Sequence, residues 1–171
     1  MRLPVYTVAL TGLLASPALA ADLTLSLEIP QLSVAEYHRP YVSVWVETPD
    51  KVAVKTLAVW YDVKLKNQEG QKWLKDMRQW WRRAGRDLTL PADGVSAATR
   101  APGKHQVVFK AGASPLGTLP AGQYNLVVEA AREVGGVEVL RTPFQWPPKA
   151  RASAAAKGET ELGALSVTVK P

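Results

Sequence analysis

From Asp22 to Ile29 every second residue is aliphatic: Leu23, Leu25, Leu27 and Ile29 alternate with Asp22, Thr24, Ser26 and Glu28. Side chains two apart share one face of an extended chain, so this pattern makes a half-buried strand and cannot make the apolar stripe of a helix. The same rule predicts strands at Val42, Val44 and Val46, over residues 53–61, and over His105–Lys110, Tyr124–Ala131, Val137–Phe144 and Leu162–Val169. Turn-forming residues fall between them: Thr48-Pro49-Asp50, Ala101-Pro102-Gly103, the stretch from Gly112 to Gly122, and Gly135-Gly136, a two-residue hairpin signal. Seven strands at this spacing predict a mainly β protein, an immunoglobulin-like antiparallel β-sandwich.

One helix interrupts the strands. Over residues 71–84, Trp73, Met77, Trp80, Trp81 and Ala84 fall at i, i+4, i+7, i+8 and i+11, while Lys72, Lys75, Arg78, Arg82 and Arg83 face away. An amphipathic helix covering the sandwich follows, with Trp73, Met77 and Trp80 buried; one or two of its indoles lining a pocket for a planar ligand is the other reading of the stripe. Residues 147–158, rich in alanine, proline and lysine, read as a mobile surface loop before the last strand.

The first twenty residues differ from the rest. Met1-Arg2, an apolar run from Leu3 to Leu14, and small residues at Ala18 and Ala20 form a signal peptide cleaved after Ala20. The run is too short to span a bilayer as a helix, so no transmembrane segment is expected after cleavage. No arginine pair precedes it, which points to the general secretory route and a periplasmic location. Removing these twenty of 171 residues leaves 151, enough for a single β-sandwich domain over 21–171. The chain contains no cysteine, which excludes disulfides, thiolate metal sites and c-type haem attachment. Loss of Arg2 lowers the formal charge from +6 to +5. In an exported protein this moderately basic balance serves solubility or acidic partners, and nucleic acid is not an expected partner.

The sequence holds no nucleophile elbow, phosphate-binding glycine loop or His-Glu-x-x-His motif, and its two histidines, His38 and His105, belong to different elements. No metal site is expected. Glu129 and Glu133 bracket Arg132, an arrangement that reads as a structural ion pair. A carrier or binding module is expected ahead of a stand-alone enzyme, and a hydrolase is the most remote class.

Between the helix and the strand near His105 lies Asp93-Gly94-Val95-Ser96-Ala97-Ala98-Thr99, a segment of small and polar residues. It resembles the recognition sequence of FAD:protein FMN transferases: an aspartate, two free positions, Ser or Thr, a small residue, Ala, then the acceptor Thr or Ser. The resemblance implies covalent FMN, joined through its phosphate to Thr99, with Asp93, Ser96 and Ala98 read by the transferase. Ala97 stands where the motif usually has glycine. The physical demand is an accessible loop without bulky side chains, so that a hydroxyl can enter another enzyme's active site. Arg100 and Lys104 are candidate neighbours of the phosphate. By composition alone the segment also reads as an ordinary surface loop.

Further runs carry a second resemblance: Arg39-Pro40-Tyr41-Val42 with Val44-Trp45-Val46-Glu47, Thr56–Tyr61, Lys72-Trp73-Leu74 with Trp80-Trp81-Arg82, and Val128–Glu133 followed by Gly135-Gly136. Together they are similar to a bacterial family of periplasmic proteins of unknown function, across nearly all of the mature chain. That resemblance implies the flavinylation motif in the corresponding loop, and a membrane-bound reductase of PepSY type as partner. It thereby implies a periplasmic flavin carrier relaying electrons in an extracytoplasmic system. The alternative is a non-catalytic immunoglobulin-like binding or assembly module without cofactor, its exposed tryptophans meeting a glycan or a protein.

Overall fold

The structure, a computed structural model, describes residues 21–171; the leader expected over 1–20 lies outside the described residues. The strands are β1 (Asp22–Ile29), β2 (Tyr41–Glu47), β3 (Ala53–Trp60), β4 (Ser96–Ala97), β5 (Gly103–Lys110), β6 (Gly122–Ala131), β7 (Val137–Trp146), β8 (Ala152–Lys157) and β9 (Ala164–Lys170). Four of them form a sheet in the order β5-β1-β9-β8, antiparallel throughout. The other sheet runs β4-β3-β2-β6-β7, antiparallel except where β4 lies parallel to β3. The two sheets make the β-sandwich that the alternation predicts.

Between the sheets lies a core built from the alternating residues. Leu23, Leu25, Leu27 and Ile29 of β1 and Leu165, Val167 and Val169 of β9 meet Val42, Val44 and Val46 of β2 and Leu126, Val128 and Ala130 of β6. The outer face of the five-stranded sheet is covered as well. Trp45, Val59 and Val127 point outward into a second cluster with Leu74, Met77, Trp80 and Leu90. Covered on both faces, β2 is buried along its whole length.

The segment 62–95 supplies that cover, and it differs from the expected helix. Residues Lys66–Asp76 wind as 3-10 turns, and only α1 (Arg78–Arg83) is α-helical. Asn67 and Gln68 hold positive φ (54° and 58°), which interrupts any regular helix there. Gly70 abuts the Asp62 backbone so closely that a Cβ would collide with its carbonyl oxygen, pinning the segment to the end of β3. The buried residues follow the three-residue period of a 3-10 path: Leu74, Met77 and Trp80 are inside. Trp73, expected among them, is 53% exposed.

Two carboxylates fix this cover to the sheet. Buried Glu129 of β6 accepts the backbone N–H groups of Gln79 (3.0 Å) and Trp80 (2.7 Å), capping the start of α1 from another element. Buried Glu47 of β2 accepts from Arg83 of α1 and Arg141 of β7, each at 2.8 Å, and from the Trp45 indole N–H at 3.2 Å.

Three other expectations change. Residues 147–158 are not a loop throughout: β8 pairs with β9 from Ala152↔Val169 to Lys157↔Ala164. Ala154 and Ala156 pack against the core, a small-residue alternation that carries little hydrophobic signal. The β6–β7 hairpin forms, but its connection is five residues, 132–136, closed by Arg132 N–H to the Gly136 carbonyl at 3.1 Å. Arg132 pairs with neither bracketing glutamate: its Nε and Nη2 donate to Glu161 at 2.8 and 3.1 Å. Gly135 lies against the guanidinium at a separation that leaves no room for a side chain.

Candidate functional site

A cavity of about 680 Å³ opens beside the outer face of the five-stranded sheet, within the range of small-molecule sites. The irregular chain between β1 and β2 contributes Tyr37, His38 and Arg39; the start of β2 contributes Tyr41. Asp62, Leu65, Trp73, Asp76 and Arg78 come from the covering segment, and Ala131–Val137 from the β6–β7 connection. Thr99 completes the lining.

The sequence delivers Thr99 there by a short piece of sheet. Val59 N–H donates to the Val95 carbonyl (2.8 Å) and Tyr61 N–H to the Ala97 carbonyl (3.0 Å), laying β4 along β3. Just beyond these bonds the Thr99 hydroxyl donates to Asp62 Oδ1 at 3.4 Å, and the Tyr41 hydroxyl donates to Asp62 Oδ2 at 3.3 Å. Burial pushes the Tyr41 phenol up to about 12, so it stays protonated at neutral pH. One carboxylate thus holds both hydroxyls, across 37 and 21 residues of sequence.

Asp93, Gly94, Ser96, Ala97 and Ala98 lie on the turn and short strand that lead to Thr99. Asp93 is exposed, Gly94 turns the chain at φ +73°, and the Ser96 hydroxyl accepts from Ala92 N–H at 3.0 Å, closing the turn. Ala97 is extended within β4 and has no positive φ, a conformation that alanine adopts without strain. Ala98 is exposed. The Arg100 guanidinium lies over the Trp60 ring, 4.9 Å from its centroid, and Lys104 is exposed on β5 of the opposite sheet. Neither lines the cavity, whose guanidinium groups are those of Arg39, Arg78 and Arg132.

Among the described residues, three buried side-chain atoms lack a hydrogen-bond partner, and two belong to this lining: Tyr37 Oη and Arg132 Nη1. The Arg132 side chain is only 6% exposed. A buried donor without a partner costs about 1–3 kcal/mol, so a pair of them in one cavity wall suits an acceptor-bearing ligand. The wall thus combines a hydroxyl, aromatic rings and buried polar atoms without partners. Sequence reasoning missed Asp62, Tyr37 and Arg132 as site residues. The Gly135-Gly136 signal marks the connection that carries Arg132, but the other two lie in segments with no distinguishing pattern.

Fold and cavity together define a β-sandwich with a pocket of aromatic side chains and charges of both signs beside its helical cover. The chain belongs to the family described as predicted periplasmic protein (DUF2271), whose model matches residues 22–164. The family description places the protein in the periplasm. No helix among the described residues is long and apolar enough to cross a membrane. Searches of curated proteins and of solved structures returned no significant match.

Proposed function

We propose that the protein is a periplasmic flavin carrier, with FMN joined through its phosphate to Thr99 and electrons relayed between a membrane-bound reductase of PepSY type and another acceptor. The observation that carries this reading is the position of Thr99: the last residue of a transferase-type motif, on a segment of small side chains, at the rim of a cavity of ligand size. When attached, the flavin supplies the redox chemistry, and the chain supplies position and field. An FAD:protein FMN transferase carries out the attachment. The Thr99 oxygen bonds to the phosphorus of the FMN half of FAD, the anhydride bond breaks, AMP leaves, and the hydroxyl proton passes to a base of the transferase. Asp62 holds that hydroxyl beforehand, and Tyr41 holds Asp62. A covalent link also prevents loss of a diffusible cofactor outside the cytoplasm.

Coexpression with a competent transferase, followed by intact mass, tests the proposal. Wild type gains one FMN less water, Thr99→Ser retains the gain and Thr99→Ala loses it, with stability changed by no more than about half a kcal/mol. Asp93→Ala and Ser96→Ala lower the extent of attachment. No mass gain in the wild type removes the flavin reading. A gain that maps by peptide fragmentation to Ser96 or Ser114 leaves the function and moves the site. The exposed Trp73 favours one other reading, a binding module that presents its indole to a glycan or protein.

A further inference from the structure

Trp73 is the covering segment's exposed indole, and it lines the same cavity as Tyr37, Tyr41 and Arg132. An exposed indole on a cavity wall offers a flat apolar face on which a planar group can stack. The polar part of the wall is equally specific. Arg132 is held by two bonds to Glu161, and its Nη1 and the Tyr37 Oη are buried polar atoms of this wall without a hydrogen-bond partner. Glu161 is held in turn by Gly136 N–H at 2.7 Å, so these donors are anchored in the fold. Asp62, Asp76 and Glu133 stand among the cavity's cations and make it a poor sink for a phosphate alone. A flat ring system with carbonyl acceptors on one edge matches both halves of the wall.

We propose that this cavity is the docking pocket for the isoalloxazine ring, with Trp73 as its stacking wall and Tyr37 and Arg132 as donors to its pyrimidine carbonyl edge. This rests on the Thr99 reading only for how the ring arrives. A tether at the rim gives the ring a local concentration in the mM range, so an intrinsic Kd of about 0.1 mM keeps it docked about nine-tenths of the time. Thr99 lines the same pocket, so a ring tethered there reaches its wall directly. The consequence is a flavin shielded on one face, with its pyrimidine edge held against a cation that tunes it.

Flavin fluorescence provides the test, because indole stacking quenches it. In the wild-type protein carrying one FMN by intact mass, emission is expected several-fold below that of free FMN, with slow ring tumbling by anisotropy. Trp73→Ala, still carrying one FMN, recovers most of that emission. Emission and anisotropy equal to those of a freely tumbling flavin, or quenching unchanged in Trp73→Ala, overturn the pocket. Titration of FMN into the Thr99→Ala protein examines the pocket without the tether. Saturable quenching that is lost in the Thr99→Ala, Trp73→Ala double variant, and roughly fivefold weaker with Tyr37→Phe, supports it. No saturable quenching up to mM FMN overturns it. Absence of the covalent mass gain bears on the Thr99 assignment instead, and the titration still decides the pocket.

Discussion

Glu138 shows how one side chain can organise a connection. Its carboxylate accepts the backbone N–H groups of Glu159, Thr160, Glu161 and Leu162, between 2.6 and 3.1 Å, and so shapes the turn that joins β8 to β9. Burial raises its pKa, but the four donors outweigh burial and hold it below the ordinary glutamate value of 4.5. Because the folded-state value is depressed, the native protein binds this proton less readily than the unfolded chain. The stabilisation is present above about pH 4.5 and is lost as pH falls through the folded value. Glu129 has the opposite sign: burial raises its pKa against the Trp80 and Gln79 donors, so its contribution is full at low pH and falls as pH rises through the raised value. Glu138→Gln is therefore expected to destabilise the protein at about pH 7 and to converge on wild type at about pH 3, measured by urea unfolding across that range. Parallel curves at all pH values would show that the charge is irrelevant. The turn also sets the site, since Glu161, placed by Glu138, is the residue that orients Arg132.

At the scale of elements, the covering segment separates what periodicity can and cannot reveal. Met77 is fully buried in the cluster beneath the cover, with Leu74 and Trp80. Met77→Asp is expected to cost about 3 kcal/mol or more, because it sets an unpaired charge in that cluster. A midpoint of thermal unfolding equal to wild type would mean that the cover is not docked. Met77 and Trp80 were legible as buried because any helical winding over the sheet turns them inward. Trp73 was not, since its direction depends on the tighter 3-10 path and on positive φ at Asn67 and Gln68, neither of which leaves a hydrophobic trace. The strands β1, β2, β6 and β9 were legible because large aliphatics alternate along them. β8 was hidden because Ala154 and Ala156 are too small to stand out, and its pairing is imposed by β9. The site divides in the same way. Thr99 was reached by local pattern, whereas Asp62, Tyr37 and Arg132 meet only because β2, β3 and β6 are neighbours in the five-stranded sheet.

For the whole molecule, the pocket and the scaffold use different parts of the chain. The four-stranded sheet contributes none of the cavity-lining residues, and the cover joins the five-stranded sheet through Glu47, Glu129 and the Asp62 cluster. The two sheets have four outer strands, β5, β8, β4 and β7. Each differs from a long, bare hydrogen-bonding rim. β4 is two residues long, β7 carries an exposed Pro143, β5 ends on Lys110 with Lys104 near its start, and Ala-rich β8 is flanked by exposed Arg151 and Lys157. Such devices stop a second chain from adding as a further strand, the first step of sheet-driven aggregation. β8 is the edge most dependent on its charges, because nothing bulky interrupts Ala152–Ala156. Arg151→Val with Lys157→Val is expected to leave the unfolding midpoint of dilute protein within about half a kcal/mol of wild type, while light scattering of concentrated protein rises on warming. Unchanged scattering would assign the protection elsewhere. On this reading, the charge at the two ends of a strand of alanines, rather than the bulk of its side chains, keeps that edge from joining a second copy.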